Sequence, residues 1–352
     1  MTWVHRLSGD HANLRAAVLW SLRVERPELG LRLAAALGIH GGGLHAEIRG
    51  WLETTLEAAA GAEPPLRAKA LLALGLIIGG GPAPAEHLQE ALRLFRAESD
   101  AHGAAQALIA LSIDTDQAGE RDLAAQLAEE ALELARTTDD EWLIASALGA
   151  QVLGSPESFR QTRQFGEEGL AILRRYGDRI QLSIALGNFG FAAMAAGDYA
   201  AAGPALEEAV EISEEVEDAR VLPFSTVNRG LLHVLQGADR LAARDFARTL
   251  ALCRESGQPL PVAEALSGLA AIAVRREEIE LASRLSGASD THRLFGVLGE
   301  PEVQLRRQVI DPARERCDDG DWAREWTAGN SLTFSQAIAL GIDAVSDRSW
   351  AT

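Results

Sequence analysis

Apolar and small residues recur along the chain in one pattern, apolar-x-x-small-apolar-x-apolar, which closes on an acidic turn. It reads LQEALRL at 88–94, AEEALEL at 128–134, GEEGLAI at 166–172, LEEAVEI at 206–212 and FARTLAL at 246–252. Successive starts are 40, 38, 40 and 40 residues apart, and Asp100, Asp140, Asp178 and Asp218 follow at almost the same interval. A fixed period of this length marks stacked structural repeats. The unit at 183–212, SIALGNFGFAAMAAGDYAAAGPALEEAVEI, shows what each repeat is. Ile184, Phe189 and Ala193 fall at helical spacing, and Gly197-Asp198 breaks the helix. Tyr199, Ala202, Leu206, Ala209 and Val210 then form the inner stripe of a second helix. Small residues at Gly190, Ala202 and Ala209 mark where the two helices pack most closely.

The pattern predicts about eight antiparallel helix pairs. The first covers 11–37 and 45–60. The rest are 66–79/84–98, 103–118/121–137, 141–153/157–176, 179–196/199–217, 220–236/239–256, 260–276/278–297 and 301–317/321–341. No pair buries its apolar stripe alone, so each must stack on its neighbours. The expected architecture is an all-α solenoid, a right-handed superhelix with the first helix of each pair lining a concave face. Three regions are expected: an N-terminal pair at 1–60, the repeat array at 61–297, and capping helices with a tail at 298–352.

The arrangement resembles the tetratricopeptide repeat. Asn188-Phe189-Gly190 matches that family's first-helix core, Gly197-Asp198-Tyr199 its turn, and Ala202, Leu206 and Ala209 its second-helix positions. Asn228, Gly230, Gly237, Ala242, Phe246 and Leu250 repeat the match, and so do Leu111, Ser112, Gly119, Ala124, Ala128 and Ala131. The stretches HANLRAAVLWSL (11–22), SGLAAIAVRREEIELASRLSGASDTHRLFG (267–296) and DWAREWTAGNSLTFSQAIALGI (321–342) extend the likeness. Together they resemble the C-terminal repeat region of large bacterial STAND-type regulators, LuxR-like and SARP-like. That resemblance implies a protein-interaction or ligand-sensing module in a transcriptional regulator, with NTPase and DNA-binding domains in the full-length relative. The alternative is a constitutive scaffold with no ligand switch. Lys69, the only lysine, sits in LRAKALL, so this sequence carries no G-x-x-x-x-G-K-[ST] phosphate loop.

The concave face is the default binding surface. Its expected lining is Asn188, Phe191 and Met194 from one first helix and Phe224, Asn228, Leu231, Val234 and Leu235 from the next. Ile113 and Asp116 come from an earlier one. Such a face suits a protein segment or a small inducer. In relatives that bind peptide termini, an Asn at the positions of Asn188 and Asn228 holds a carboxylate. Those relatives also use basic neighbours, whereas Arg220 and Arg229 lie off the clamp positions. The competing reading is that the asparagines bond nearby backbone and the apolar residues pack between repeats.

Composition narrows the partners. The chain has 352 residues, 24% charged, and a formal net charge of −18. Nucleic-acid binding needs a positive surface to replace phosphate counterions, so direct DNA contact by this chain is not expected. Eight acidic residues and no basic one lie between Arg179 and Arg220, which predicts a negative outer face on that repeat. No stretch approaches the roughly 20 apolar residues of a membrane span. Two unclustered cysteines, Cys253 and Cys317, suit a reducing cytoplasm. His40, His45 and Glu47 are spaced unlike a helical metal motif, and Gly41-Gly42-Gly43 and Gly79-Gly80-Gly81-Pro82 read as connectors. No G-x-S-x-G elbow or Cys/His set is present. The expectation is binding without catalysis, metal or cofactor.

Overall fold

The computed structural model describes residues 3–38, 45–78, 82–153, 159–216, 221–257, 259, 261–293, 298–347 and 350. The expected Gly-rich connectors at 41–43 and 79–81, with His40, Glu217, Asp218 and Arg220, lie outside them, as does the side chain of His45. The described residues form helices and turns, with no strand among them. None of these helices is long and apolar enough to cross a membrane.

The chain packs as two compact units, Met1–Gly154 and Ser155–Thr352. The first holds α1 (Trp3–Arg23), α2 (Pro27–Gly38), α3 (His45–Ala58), α4 (Pro64–Ile78), α5 (Pro82–Ala97), α6 (Ala101–Gln117), α7 (Arg121–Arg136) and α8 (Glu141–Leu153). The second begins with α9 (Phe159–Tyr176), α10 (Arg179–Ala195), α11 (Tyr199–Val216), α12 (Leu222–Leu235), α13 (Asp239–Ser256), α14 (Val262–Arg275) and α15 (Ile279–Thr291). It ends with α16 (Glu300–Leu305), a π-helical turn (Arg306–Ile310), α17 (Asp311–Arg314), α18 (Asp319–Asn330) and α19 (Phe334–Asp347). In the first unit α2 rests on both α3 and α4, and in the second α15 rests on α18 and α19.

Local chemistry sets the helix ends. The periodic aspartates open the following unit. Asp100 caps α6 through Gly103 N (2.9 Å), and Asp178 caps α10 through Gln181 N (3.0 Å). Asp140 accepts from Leu143 N at 3.1 Å in the same way. Such a cap satisfies one of the orphan amides of a helix start. Gly197 and Gly237 turn the chain between paired helices with φ of 78° and 75°, a region costly for residues with a Cβ. The expected single helix at 11–37 is two helices, because Pro27 cannot continue α1 and instead starts α2.

The pairs α4–α5, α6–α7, α10–α11, α12–α13 and α14–α15 pack side by side, as the repeat pattern predicts. In three of them, α4–α5, α10–α11 and α12–α13, the contact is glycine against a large residue. A Cβ on Gly75 would stand 2.6 Å from Leu88, one on Gly190 2.5 Å from Leu206, and one on Gly230 2.7 Å from Phe246. Leu88, Leu206 and Phe246 are all buried. Burying a Leu or Phe stabilises by about 1.5–3 kcal/mol, and the glycine is what admits it.

Ion pairs link successive repeats on the outer helices. Arg96 pairs with Glu130, Arg174 with Glu208 (2.6 Å) and Arg248 with Glu214, each pair 34 residues apart. Arg163 pairs with Asp198 and Arg179 with Glu215. The acidic run on α11 is thus partly neutralised by arginines from α9, α10 and α13. Exposed pairs of this kind add little stability and chiefly favour one register.

The C-terminal region departs from expectation. Residues 301–317 do not form one regular helix, and 321–341 divide into α18 and α19. α15 ends at Thr291, short of residue 297. α18 lies against α15 at a crossing of Gly287 and Gly329, where added methyl groups would overlap the carbonyls of Trp326 and Arg284. Ser283 Oγ donates to Trp322 O (2.7 Å) and Thr291 Oγ1 to Asn330 O (2.8 Å) across the same contact.

Candidate functional site

The first helices α10, α12 and α14 pack as consecutive neighbours in the second unit. This face carries eight of the ten expected lining residues. Asn188, Phe191, Phe224, Asn228 and Leu235 are half-buried on it. Met194, Leu231 and Val234 are buried, which corrects their assignment to an open groove. They belong to the packed interior of the stack, so a ligand on this face as it stands does not reach them. Ile113 and Asp116 are half-buried on α6 of the first unit. Burial raises the Asp116 carboxyl above its ordinary value against the lowering effect of Arg121.

The two asparagines are not tied to neighbouring backbone. Among the described residues neither Asn188 nor Asn228 makes a hydrogen bond. Asn228 lies over Gly187, its Nδ2 standing 4.0 Å from where a Cβ on that glycine would be. The amides are 40 residues apart in sequence, one per repeat; Phe191 follows Asn188 by about one turn of α10, and Phe224 precedes Asn228 by about one turn of α12. An amide in this state offers donor and acceptor together, the pattern that recognises a peptide backbone or a carboxylate.

Arg229 is committed elsewhere. Its Nε and Nη2 donate to Asp245 at 3.0 and 2.5 Å, and His233 Nδ1 lies 3.0 Å from the same carboxylate. Burial works to raise the Asp245 carboxyl. The hydrogen bonds from His233 and Arg229 outweigh it and hold the group below its ordinary value. The cluster therefore joins α12 to α13, and Arg229 is not free to clamp a ligand.

The chain itself covers part of the face. α16 packs on α10, α12 and α14, and the π-helical turn packs on α14. Gly299 lies over the Phe191 ring, and Gln304 Nε2 donates to Ala195 O at 2.8 Å. Within this segment Pro301, Glu302 and Leu305 are buried. Sequence reasoning missed it, because the pattern at 301–317 gives no sign of contact with a helix more than a hundred residues earlier. The buried acid Glu302 is accommodated by Arg293, whose Nη1 and Nη2 donate to it at 3.0 and 2.7 Å.

The remaining candidates take structural places. Glu47 pairs with His11 and Arg15 on α1, and His11 stacks on Trp51 at 6.2 Å. Among the described residues no group of three or more His, Cys, Asp or Glu is placed to hold a metal. Cys253 is buried, and its thiol is pushed up to about 12 by burial, with Glu264 adding to the effect. Cys317 donates to Ala313 O at 3.1 Å.

No protein-family model matches the sequence, and no curated protein matches it. Among solved structures the chain is similar to a Rap protein in complex with competence and sporulation factor. The identity is 11% and the TM-score 0.57, over 85% of this chain and 87% of that one. It also aligns with the apo form of RapI (15%, TM-score 0.45, over 98% and 97% of the two chains). A further alignment is with aspartyl phosphate phosphatase F from Bacillus subtilis (12%, 0.46, over 99% and 92%). The first likeness is one of fold. The fold is that of tetratricopeptide-like helical repeats.

Proposed function

We propose that the chain is a protein-interaction module that holds a partner segment on the face of α10 and α12 and carries no reaction of its own. The observation that carries this reading is the pair of half-buried amides, Asn188 and Asn228, one repeat apart and without a hydrogen-bond partner among the described residues. Neither amide is among the buried polar atoms left without a partner, so both reach solvent, where a bound backbone or carboxylate can pair with their donor and acceptor atoms. A Rap protein of the same fold was crystallised with competence and sporulation factor, so a stack of this kind can hold a factor. The resemblance of 11–22, 267–296 and 321–342 to STAND-type regulators supports a place in signal transduction. There, binding would bias the stack between two arrangements and act on NTPase and DNA-binding domains. Such control requires that the ligand favour one arrangement over the other.

The test is differential capture. Partners held by the wild-type chain should be lost by Phe191→Ala/Asn228→Ala while circular dichroism shows an unchanged helical signal. Identical capture by the two chains would refute the reading. A constitutive scaffold is the alternative, and the genomic reading frame upstream of the coding sequence separates the two. A continuous frame with a phosphate loop favours the regulator, and an independent promoter and start favour the scaffold.

A further inference from the structure

The buried charges beside this face are arranged as a binding site with its occupant in place. Arg293 follows α15, and its side chain is 7% exposed. It grips Glu302, at 2%, with two nitrogens, while its Nη2 also bonds Ser289 Oγ at 3.1 Å. Bidentate guanidinium–carboxylate pairing is among the strongest and most directional of polar contacts. A second carboxylate, Glu264 on α14, stands 4.0 Å from Arg293 Nη1. Its Oε2 is sealed from solvent without a hydrogen-bond partner, and Arg293 Nε is likewise unpaired. Burial, and then the neighbouring Glu302, push the Glu264 carboxyl up to about 8. One guanidinium therefore serves two acids, and only one of them is well held. Glu302 is supplied by a six-residue helix that runs straight into a π-helical turn, where Arg306 pairs with Asp290. Long-range contacts alone hold such a short helix, since an isolated one of this length is not stable in water.

We propose that Arg293 and Ser289 form a carboxylate-binding site, that Glu300–Leu305 fills it as an internal ligand, and that a partner segment bearing a carboxylate enters by displacing Glu302. This rests on the interaction reading above and adds its partner chemistry and its regulation. The partner must bring an acid for Arg293 and an apolar side chain for the place of Leu305. It must also outcompete a tethered segment, whose effective concentration is on the order of millimolar. The face is then closed to weak or non-acidic segments.

The probe is a fluorescein-labelled synthetic peptide of residues 299–310, read by anisotropy against the full-length chain. Glu302→Gln/Leu305→Ala opens the site in the full chain. The labelled peptide should bind this variant at least tenfold more tightly than it binds wild type. A peptide carrying Gln at the position of Glu302 should bind the variant at least tenfold more weakly than the native peptide. Equal binding of the two peptides, or equal binding by the two chains, overturns the proposal. Should the variant lose its helical signal, amide exchange of the wild-type chain decides. Residues 300–310 should exchange at least tenfold faster than α12 and α14. Exchange at the rate of those helices overturns the proposal. Either failure leaves the differential capture by Phe191→Ala/Asn228→Ala untouched, so the interaction reading stands or falls separately.

Discussion

Gly187 and Gly190 sit one turn apart on α10, and the structure assigns them opposite responses to the same methyl group. A Cβ on Gly190 would lie 2.5 Å from Leu206 Cγ and 2.6 Å from its Cδ2, with the Ala202 carbonyl at 3.4 Å. The shorter approach is about 1 Å inside the optimal carbon–carbon separation of roughly 3.5–4.0 Å. Leu206 is fully buried and cannot swing away into solvent. Overpacking of this kind costs about 1–3 kcal/mol. At Gly187 the nearest atom is Asn228 Nδ2 at 4.0 Å, so a methyl enters without a clash. Replacing Gly by Ala inside a helix contributes about 0.8–1 kcal/mol at either site. That gain cancels between the two variants, and their difference isolates the overpacking. Gly187→Ala should be stabilised by up to about 1 kcal/mol, and Gly190→Ala should fall about 1–3 kcal/mol below it. Urea unfolding followed by far-UV circular dichroism measures both. Equal midpoints for the two variants would refute the helix register drawn here, since only the pairing of Gly190 with Leu206 distinguishes the positions.

Gly287→Ala and Gly329→Ala should each detach α18 from α15, because the added methyl meets backbone rather than a movable side chain. Hydrogen exchange should show α18 losing protection while α10–α13 keep theirs. Asp245→Ala removes the common partner of Arg229 and His233 from a site 4% exposed, and should cost about 3–5 kcal/mol in denaturant titrations. Glu264 provides a pH signature. Its folded carboxyl is raised to about 8 from an ordinary value of 4.5, so over that window the folded chain keeps a proton that the unfolded chain has lost. The stability it contributes is fully present below about pH 4.5 and falls as pH rises through about 8. Glu264→Gln should flatten that slope in thermal melts taken across the window, and an unchanged slope would assign it to other groups.

The helix pairs were legible because the repeat places the same residue types at the same positions. Gly190 was legible as a point of close helix contact, and the structure supplies its partner, Leu206, with Phe246 in the same place against Gly230. Asp100, Asp140 and Asp178 gave the period, and their role as caps of the next first helix explains why it is so regular. The break at Pro27 was signalled by the residue itself and was overridden by the apolar stripe on either side of it. The binding face was less legible. Phe191, Phe224 and Leu235 look alike in sequence to Met194, Leu231 and Val234, since a first helix is apolar both where it packs and where it faces a ligand. Burial separates them, and burial depends on neighbours that a local pattern does not contain. The segment carrying Glu302 is the extreme case. Its acid reads as a surface residue, and its partner Arg293 lies in a loop-like stretch after α15. Only the fold brings the two together against α14.

The most direct test of the binding face is hydrogen exchange of the full-length chain with and without a partner recovered by differential capture. Added protection should appear on α10 and α12 around Asn188, Phe191, Phe224 and Asn228, with protection lost at residues 300–310. Protection confined to the outer helices α11 and α13, with α10, α12 and residues 300–310 unchanged, would contradict it.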